Sequence, residues 1–445
     1  MLVLSRLNRF ERGRERSSRN FILMISNPTP RKSRIFYGWY VLAASFLILF
    51  LSSGARFTIG IAFKPLIAEF GWSRSAVSLA ALLNMTFFSL SVIATGKWYD
   101  RFGPKWVIIL STILVSSGYM LIPLTQTLWH FLVLYGVVAA LGLGGTTVPI
   151  FAALMSKWFE KRRGFTISLA LSGNCLGQFA LVPLFTTFIT DYGWRASHFW
   201  IGLMMLVLNL GLTFLVIRGD PEDLGVVPYG RKEESASPFF HGDAEESPPL
   251  RDLGLREAMG TSSFWLFVLF MFVCGSGDFL VTTHLIPMVT DHGISAPTAS
   301  NMLAWFGLLS LAGILVAGPA SDFIGDKIPI ALTFLLRVFA FLLVLRYQNM
   351  VSFYVFALVF GFTFLVTAPL TPTLVGRLYG FSHVGVLSGF ITTIHHLGGG
   401  IAAWGGGVLF DLTGSYETVL FISAALALIA AVSAMLIRQR REAVS

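Results

Sequence analysis

A block of this chain recurs 222 positions downstream. GKWYDRFGPK begins at Gly96 and GPASDFIGDK at Gly318, so Gly96/Gly318, Asp100/Asp322, Gly103/Gly325 and Lys105/Lys327 coincide. The same offset carries PLIAEFGWSRSAVS, from Pro65, onto PMVTDHGISAPTAS, from Pro287. Pro65/Pro287, Glu69/Asp291, Gly71/Gly293, Ser73/Ser295 and Ser78/Ser300 then match. A chain of 445 residues built this way must fold as two copies of one unit. Both copies are apolar. The sequence is 55% hydrophobic and 12% charged, against about 25% charged in an ordinary soluble domain. So much apolar surface cannot be hidden from water, and the bilayer must serve as its solvent.

Twelve apolar segments are expected, near 38–63, 76–97, 106–123, 128–155, 164–188, 198–217, 262–289, 299–320, 328–346, 351–375, 384–410 and 416–437. Each approaches the ~20 residues that a helix needs to cross a hydrocarbon core. All but six of the 32 Lys and Arg then fall on one side of the membrane. The six are Lys64, Arg74, Arg195 and Arg346 on the other side, and Arg56 and Arg337 within segments. Excess positive charge marks the cytoplasmic side, so both termini are expected there. The +9 net charge thus records topology and not a nucleic-acid footprint. The reading is an all-α integral membrane protein of twelve helices in two six-helix repeats. It has a basic tail (1–36) with no secretory leader pattern, a first half (37–217), a cytoplasmic linker (218–260), a second half (261–438) and a short tail (439–445). Two apolar halves related by a repeat are the pattern of a secondary transporter.

GKWYDRFGPK resembles the loop signature of the major facilitator superfamily, and GPASDFIGDK resembles its weaker echo in the second half. The likeness runs from about Tyr37 to Arg438. FKPLIAEFGWSRSAVS (63–78), WFEKRRGFTISLALSG (158–173), YGWR (192–195), DPEDLGVVP (220–228) and FDLTGSY (410–416) resemble the bacterial branch around monocarboxylate transporters and oxalate/formate exchangers. This resemblance implies small organic anions as substrates and a monomeric carrier. Animal monocarboxylate transporters carry an Asp and an Arg four residues apart in the eighth segment, where an ungapped reading puts Gly307 and Leu311 here. The span-five antiporter signature is incomplete: Gly173, Gly177 and Pro183 are present without a Gly-Pro pair.

An ionisable group inside the bilayer costs roughly 2.5–3.5 kcal/mol on insertion scales and marks function by default. Arg56 (SSGARFTIG) and Asp278 (CGSGDFLVTT) are such groups, and they stand at the repeat offset of 222. The resemblance implies that their segments face each other. Three roles stay open: a carboxylate clamp with a proton or counter-charge site, an outer gate, or a permanent ion pair. His284 reads as a proton shuttle or an interfacial histidine. His395 and His396 point about 100° apart, so one can face the central cavity but the two cannot clamp one metal. Asn84, Asn174 and Gln178 are candidate cavity hydrogen bonders, or interhelical contacts. Arg337 reads as structural or snorkelling, on a segment that the resemblance makes peripheral. The signature residues Gly96, Asp100, Arg101, Gly103, Lys105, Gly318, Asp322, Gly325 and Lys327 are expected to form an inner gate.

No Walker A pattern accompanies the glycine runs at 398–400 and 405–407, and Cys175 and Cys274 lack metal spacing. No cofactor or metal is expected, and no clustered acid–base residues suggest an enzyme. The reading is a secondary transporter of small organic anions, with protons as a candidate partner, placed in a bacterial inner membrane. Export of hydrophobic compounds and a transporter-like sensor are the alternatives.

Overall fold

A computed structural model describes residues 36–230, 252–380 and 382–438. The tails 1–35 and 439–445 and the linker stretch 231–251 lie outside the described residues. Ten long apolar helical runs account for nearly all of the fold. They are α1 (Gly38–Phe70), α2 (Arg74–Leu124), α3 (Leu128–Trp158), α4 (Arg163–Leu215), α5 (Ser262–Asp291), α6 (Ala296–Ile324), α7 (Lys327–Arg346), α8 (Met350–Tyr379), α9 (Val384–Thr413) and α10 (Glu417–Leu436). Among the described residues the sole β feature is an isolated bridge, Phe159 to Tyr229. The described parts of the linker hold two short turns of helix, Pro221–Leu224 and Leu255–Ala258.

Two runs are far longer than one crossing requires. α2 has 51 residues and α4 has 53, which at 1.5 Å per residue is about 80 Å against a core of about 30 Å. Each breaks at one glycine in the left-handed region: Gly103 (φ 77°, ψ 169°) in α2 and Gly193 (φ 78°, ψ 159°) in α4. A β-carbon resists that backbone, so glycine marks where the chain can turn back.

The sequence repeat reappears in the backbone. Ser73 and Ser295 both cap helix starts, accepting from the amides of Ala76 and Thr298. Gly71 and Gly293, and Gly103 and Gly325, all have positive φ. The halves differ at Arg56. α1 breaks at Phe57 (φ −90°, ψ 0°), while the equivalent Phe279 sits in the unbroken α5.

Across the halves α1 packs on α5, α2 on α9, and α4 on α6. Small residues bring these helices close. A β-carbon on Gly407 would lie 2.8 Å from the Arg74 carbonyl oxygen, and one on Gly400 would lie 3.1 Å from the Leu82 Cα. At the end carrying Arg74 and Asp291 one apolar core runs through both halves, with Phe63, Leu66, Leu285 and Met288 in it. Towards the end carrying Gly103 and Gly325 the halves keep separate cores, around Trp158 and Phe151 in one and Phe264 and Phe334 in the other. The halves are therefore joined at the Arg74 end and distinct at the other.

Candidate functional site

Arg56 ends the first stretch of α1, beside the break at Phe57. Thr58 Oγ1 (2.8 Å) and Tyr119 Oη (2.7 Å) both donate to the Ala55 carbonyl and hold that break in place. The guanidinium lies 4.5 Å from the Phe88 ring centre, 5.4 Å from that of Phe279, and 3.7 Å from Met85 Sδ. Phe88 belongs to the first half and Phe279 to the second, so Arg56 lies at the junction of the halves. It is partly open to solvent. Among the described residues no carboxylate pairs with it.

Asp278 is not the partner of Arg56, contrary to the expectation from the repeat. A shared offset gives two residues equal height in the two halves but does not turn their side chains together. Asp278 Oδ1 instead meets Arg337 Nη2 at 2.7 Å, with both side chains 1% exposed. His395 Nε2 lies 3.1 Å from Asp278 Oδ2. Arg337 also donates to the Thr363 carbonyl (3.0 Å), Thr363 Oγ1 (3.2 Å) and the Cys274 carbonyl (3.2 Å). It does not snorkel; it neutralises a buried carboxylate, and the hydrogen bonds lower the cost of burying both charges.

Cys274 Sγ, Asp278 and His395 offer donor atoms within 4.8 Å of one another, a set of metal-ligand type. The guanidinium already supplies their positive charge, 2.7 Å from the carboxylate and 3.6 Å from the sulfur, and a cation there would face direct repulsion. A crevice of about 210 Å³ reaches Arg337 between α5, α7, α9 and α10, all in the second half, so it is not the passage between halves.

His396 turns the other way from His395. Its ring lies 5.0 Å from that of Phe88 and 5.7 Å from that of Phe279, the two rings that flank Arg56.

The other candidates divide between the interior and the seam. Asn84 donates to the Tyr135 carbonyl (2.7 Å) and Gln178 donates across the halves to the Leu303 carbonyl (3.0 Å). Asn174 is half-buried and makes no hydrogen bond among the described residues. His284 is buried at the Arg74 end: Nε2 donates to the Ala403 carbonyl (2.7 Å) and Nδ1 accepts from Tyr416 Oη (2.9 Å).

That end also holds charges which sequence reasoning used only for topology. Arg74 pairs through both nitrogens with Asp291 of the other half (2.7 and 2.8 Å), donates to Tyr416 Oη (2.9 Å) and stacks on Phe410 (3.6 Å). Lys64 reaches the same carboxylate at 2.7 Å. Asp411 accepts from the backbone amides of Arg74 (3.0 Å) and Ser75 (2.8 Å), placing an anion of one half on a helix N-terminus of the other. The detectable signal was the presence of Lys64 and Arg74 among the few cations away from the positive side.

The signature residues lie at the opposite end. Asp100, Arg101 and Asp322 are exposed, and Gly96, Gly103, Gly318, Gly325 and Lys327 are partly so. Lys105 Nζ donates to the Phe214 carbonyl at 3.4 Å. Among the described residues these charges form no ion pair between the halves. The paired acid here is Asp326, which accepts from Ser321 and meets Arg377 at 3.0 Å.

A profile of the family described as Major Facilitator Superfamily matches residues 45–288 and 266–445. An uncharacterized MFS-type transporter, YcxA of Bacillus subtilis (strain 168), is 24% identical over 86% of this chain and 91% of its own. Monocarboxylate transporter 13 of Rattus norvegicus is 24% identical over 87% of this chain and 86% of its own, and monocarboxylate transporter 11 of Homo sapiens is 26% identical over 88% and 81%. The fold matches a bacterial homologue of the human lysosomal transporter Spinster in an inward-facing, unoccupied conformation. That match has TM-score 0.67 and 17% identity over 93% of this chain and 100% of that one. The nucleoside transporter NupG matches with TM-score 0.70 and 11% identity over 91% and 100%.

Proposed function

The chain belongs to the major facilitator superfamily, as a multi-pass integral membrane transporter and not an enzyme, and on that premise we propose that it carries small organic anions by alternating access. The observation that carries this reading is Arg56: a guanidinium at the junction of the halves, on a broken helix, with no carboxylate to neutralise it among the described residues. A charge held inside a membrane without a partner costs several kcal/mol unless a ligand completes it. A carboxylate accepts the planar fork of an arginine through two parallel hydrogen bonds. Phe88 and Phe279 beside it suit an apolar body attached to that carboxylate. The named monocarboxylate relatives support the same class at low identity. An exporter of uncharged apolar compounds has no use for an uncompensated arginine.

Counting α2 and α4 as two crossings each, split at Gly103 and Gly193, gives twelve spans with both termini on one side. The Lys/Arg distribution puts that side in the cytoplasm. The Arg74 end is then external and shut, and the carrier works as a monomer in a bacterial inner membrane. The signature residues Gly96, Asp100, Arg101, Gly103, Lys105, Gly318, Asp322, Gly325 and Lys327 form the inner gate, whose charges make no ion pair between the halves among the described residues and pair in the other state. Asn84, Asn174 and Gln178 support the passage around Arg56, His395 holds Asp278 behind it, and His284 belongs to the external closure.

The test is uptake of radiolabelled pyruvate, lactate and benzoate into liposomes holding the purified protein, with and without an imposed pH gradient. Accumulation or counterflow of any of the three is expected. No movement of any acid under either condition would remove the anion reading.

A further inference from the structure

We propose that His396 is the proton-carrying residue of this transporter, and that it takes up its proton together with an anion held at Arg56. The inference rests on the organic-anion reading and goes beyond it by naming the coupling group. His396 and Arg56 share two aromatic neighbours, one from each half. Arg56 lies 4.5 Å and His396 5.0 Å from the centre of the Phe88 ring. The two groups are thus within about 9.5 Å of each other, the sum of those distances. In the proposed loaded state an anion seated on the guanidinium lies beside both.

The imidazole has one free nitrogen. His396 Nδ1 is 2.8 Å from the Thr392 carbonyl oxygen. A carbonyl only accepts, so Nδ1 carries the hydrogen in both charge states. Nε2 is the atom that gains and loses a proton, and it has no hydrogen-bond partner among the described residues. His395 instead turns its Nε2 to Asp278, away from the Arg56 side.

The charges around His396 set when that proton binds. Arg56 of α1 faces it from the first half, with Tyr119 of α2 and Tyr135 of α3 near the guanidinium. On the second-half side stand Cys274 and Asp278 of α5, Arg337 of α7 and the neighbouring His395. Asp278 pairs with both Arg337 and His395, and among the described residues the positive charge facing His396 that has no carboxylate partner is that of Arg56. In the empty carrier this like charge opposes protonation of Nε2. An anion on Arg56 cancels the opposition. Each ligand therefore raises the affinity for the other by one common factor. The loaded site holds one anion and one proton beside Arg56, and the proton leaves from Nε2 to water with the anion on the other side. No bond other than N–H forms or breaks.

The test uses full-length protein in liposomes with an entrapped pH dye and the same three labelled acids, followed for both acid and proton. The wild type is expected to move about one proton per anion, and its anion affinity is expected to fall about tenfold per pH unit once Nε2 deprotonates. His396→Gln and His396→Asn are expected to move protons with anions at a ratio near zero, with a flat affinity–pH profile. Binding of the acid to purified variants, read by thermal shift, covers a variant that binds without turning over. A wild-type carrier that moves an acid without protons overturns this inference alone. So does a variant that keeps the proton ratio and pH slope, or one that binds no acid at any pH, which would make His396 an anion ligand. A wild type that moves no acid at all removes the underlying reading as well.

Discussion

Asp291→Asn should open the Arg74 end of the protein. Asp291 meets Arg74 through both carboxylate oxygens, at 2.7 and 2.8 Å, with side chains 23% and 13% exposed. At that burial a charge-assisted hydrogen-bonded pair is worth about 1.5–3 kcal/mol. Lys64, 39% exposed, adds at most about 1 kcal/mol after solvent screening. Asparagine keeps one acceptor oxygen, so part of the contact survives and the net loss is about 2 kcal/mol. All of these partners lie across the two halves and exist only while the halves meet. The ratio of open to shut protein at this end should thus rise about 30-fold, since 1.4 kcal/mol is tenfold. Spin labels on Gln126 and Glu417, both exposed at this end, would report it by pulsed dipolar spectroscopy as a new population at longer distance. Glu69→Gln is the matched control. Glu69 is the repeat equivalent of Asp291, but it bonds to Arg195 and Trp194 within its own half. Its loss should cost stability and leave the distances alone. An unchanged distribution in Asp291→Asn, or an equal change in Glu69→Gln, would refute the reasoning.

Three further outcomes are expected. Arg56→Gln should reduce anion counterflow at least a hundredfold while Arg56→Lys, which keeps charge and loses the fork, retains part of it; a normal rate in the glutamine variant would exclude Arg56 from the path. Arg337→Leu should lower stability by about 3–5 kcal/mol by leaving Asp278 buried without its cation, and Arg337→Leu/Asp278→Leu should recover most of it in thermal unfolding; a double variant as unstable as the single one contradicts the pairing. Gly275→Ala should unfold at a clearly lower temperature than Gly277→Ala, because the new methyl would lie 1.7 Å from the His395 carbonyl oxygen in one case and 3.1 Å from the Phe360 ring in the other; equal melting points would count against backbone contact of α5 and α9 as the cause.

The two halves were legible in the sequence because the offset of 222 repeats the residues that set backbone shape. Ser73 and Ser295 cap helices, and Gly103 and Gly325 turn the chain, as their coincidence implied. The intramembrane charges were legible too, since an Arg or Asp in an apolar run stands out. Their partners were not. Asp278 and Arg337 are 59 positions apart on helices whose rotation no repeat records, and Arg337 read as peripheral because its helix is. Adjacent histidines told that two directions were in play, but only the fold says that His395 takes Asp278 and His396 takes the Arg56 side. The seam was invisible for the same reason: Asp291 and Asp411 each meet Arg74 from the other half, at separations of 217 and 337 residues.

Asp411 clasps its partner half through the peptide amides of residues 74 and 75, with the Ser73 and Ser75 hydroxyls beside it. Residues 74 and 75 could drift through almost every amino acid and still offer those two N–H groups. A mutational scan of the first half would find Arg74 and Lys64 and remain blind to the two amide contacts, proline at 74 or 75 excepted. The amide part of this closure therefore survives changes of side chain in the first half, and the burden of keeping it falls on one carboxylate in the second.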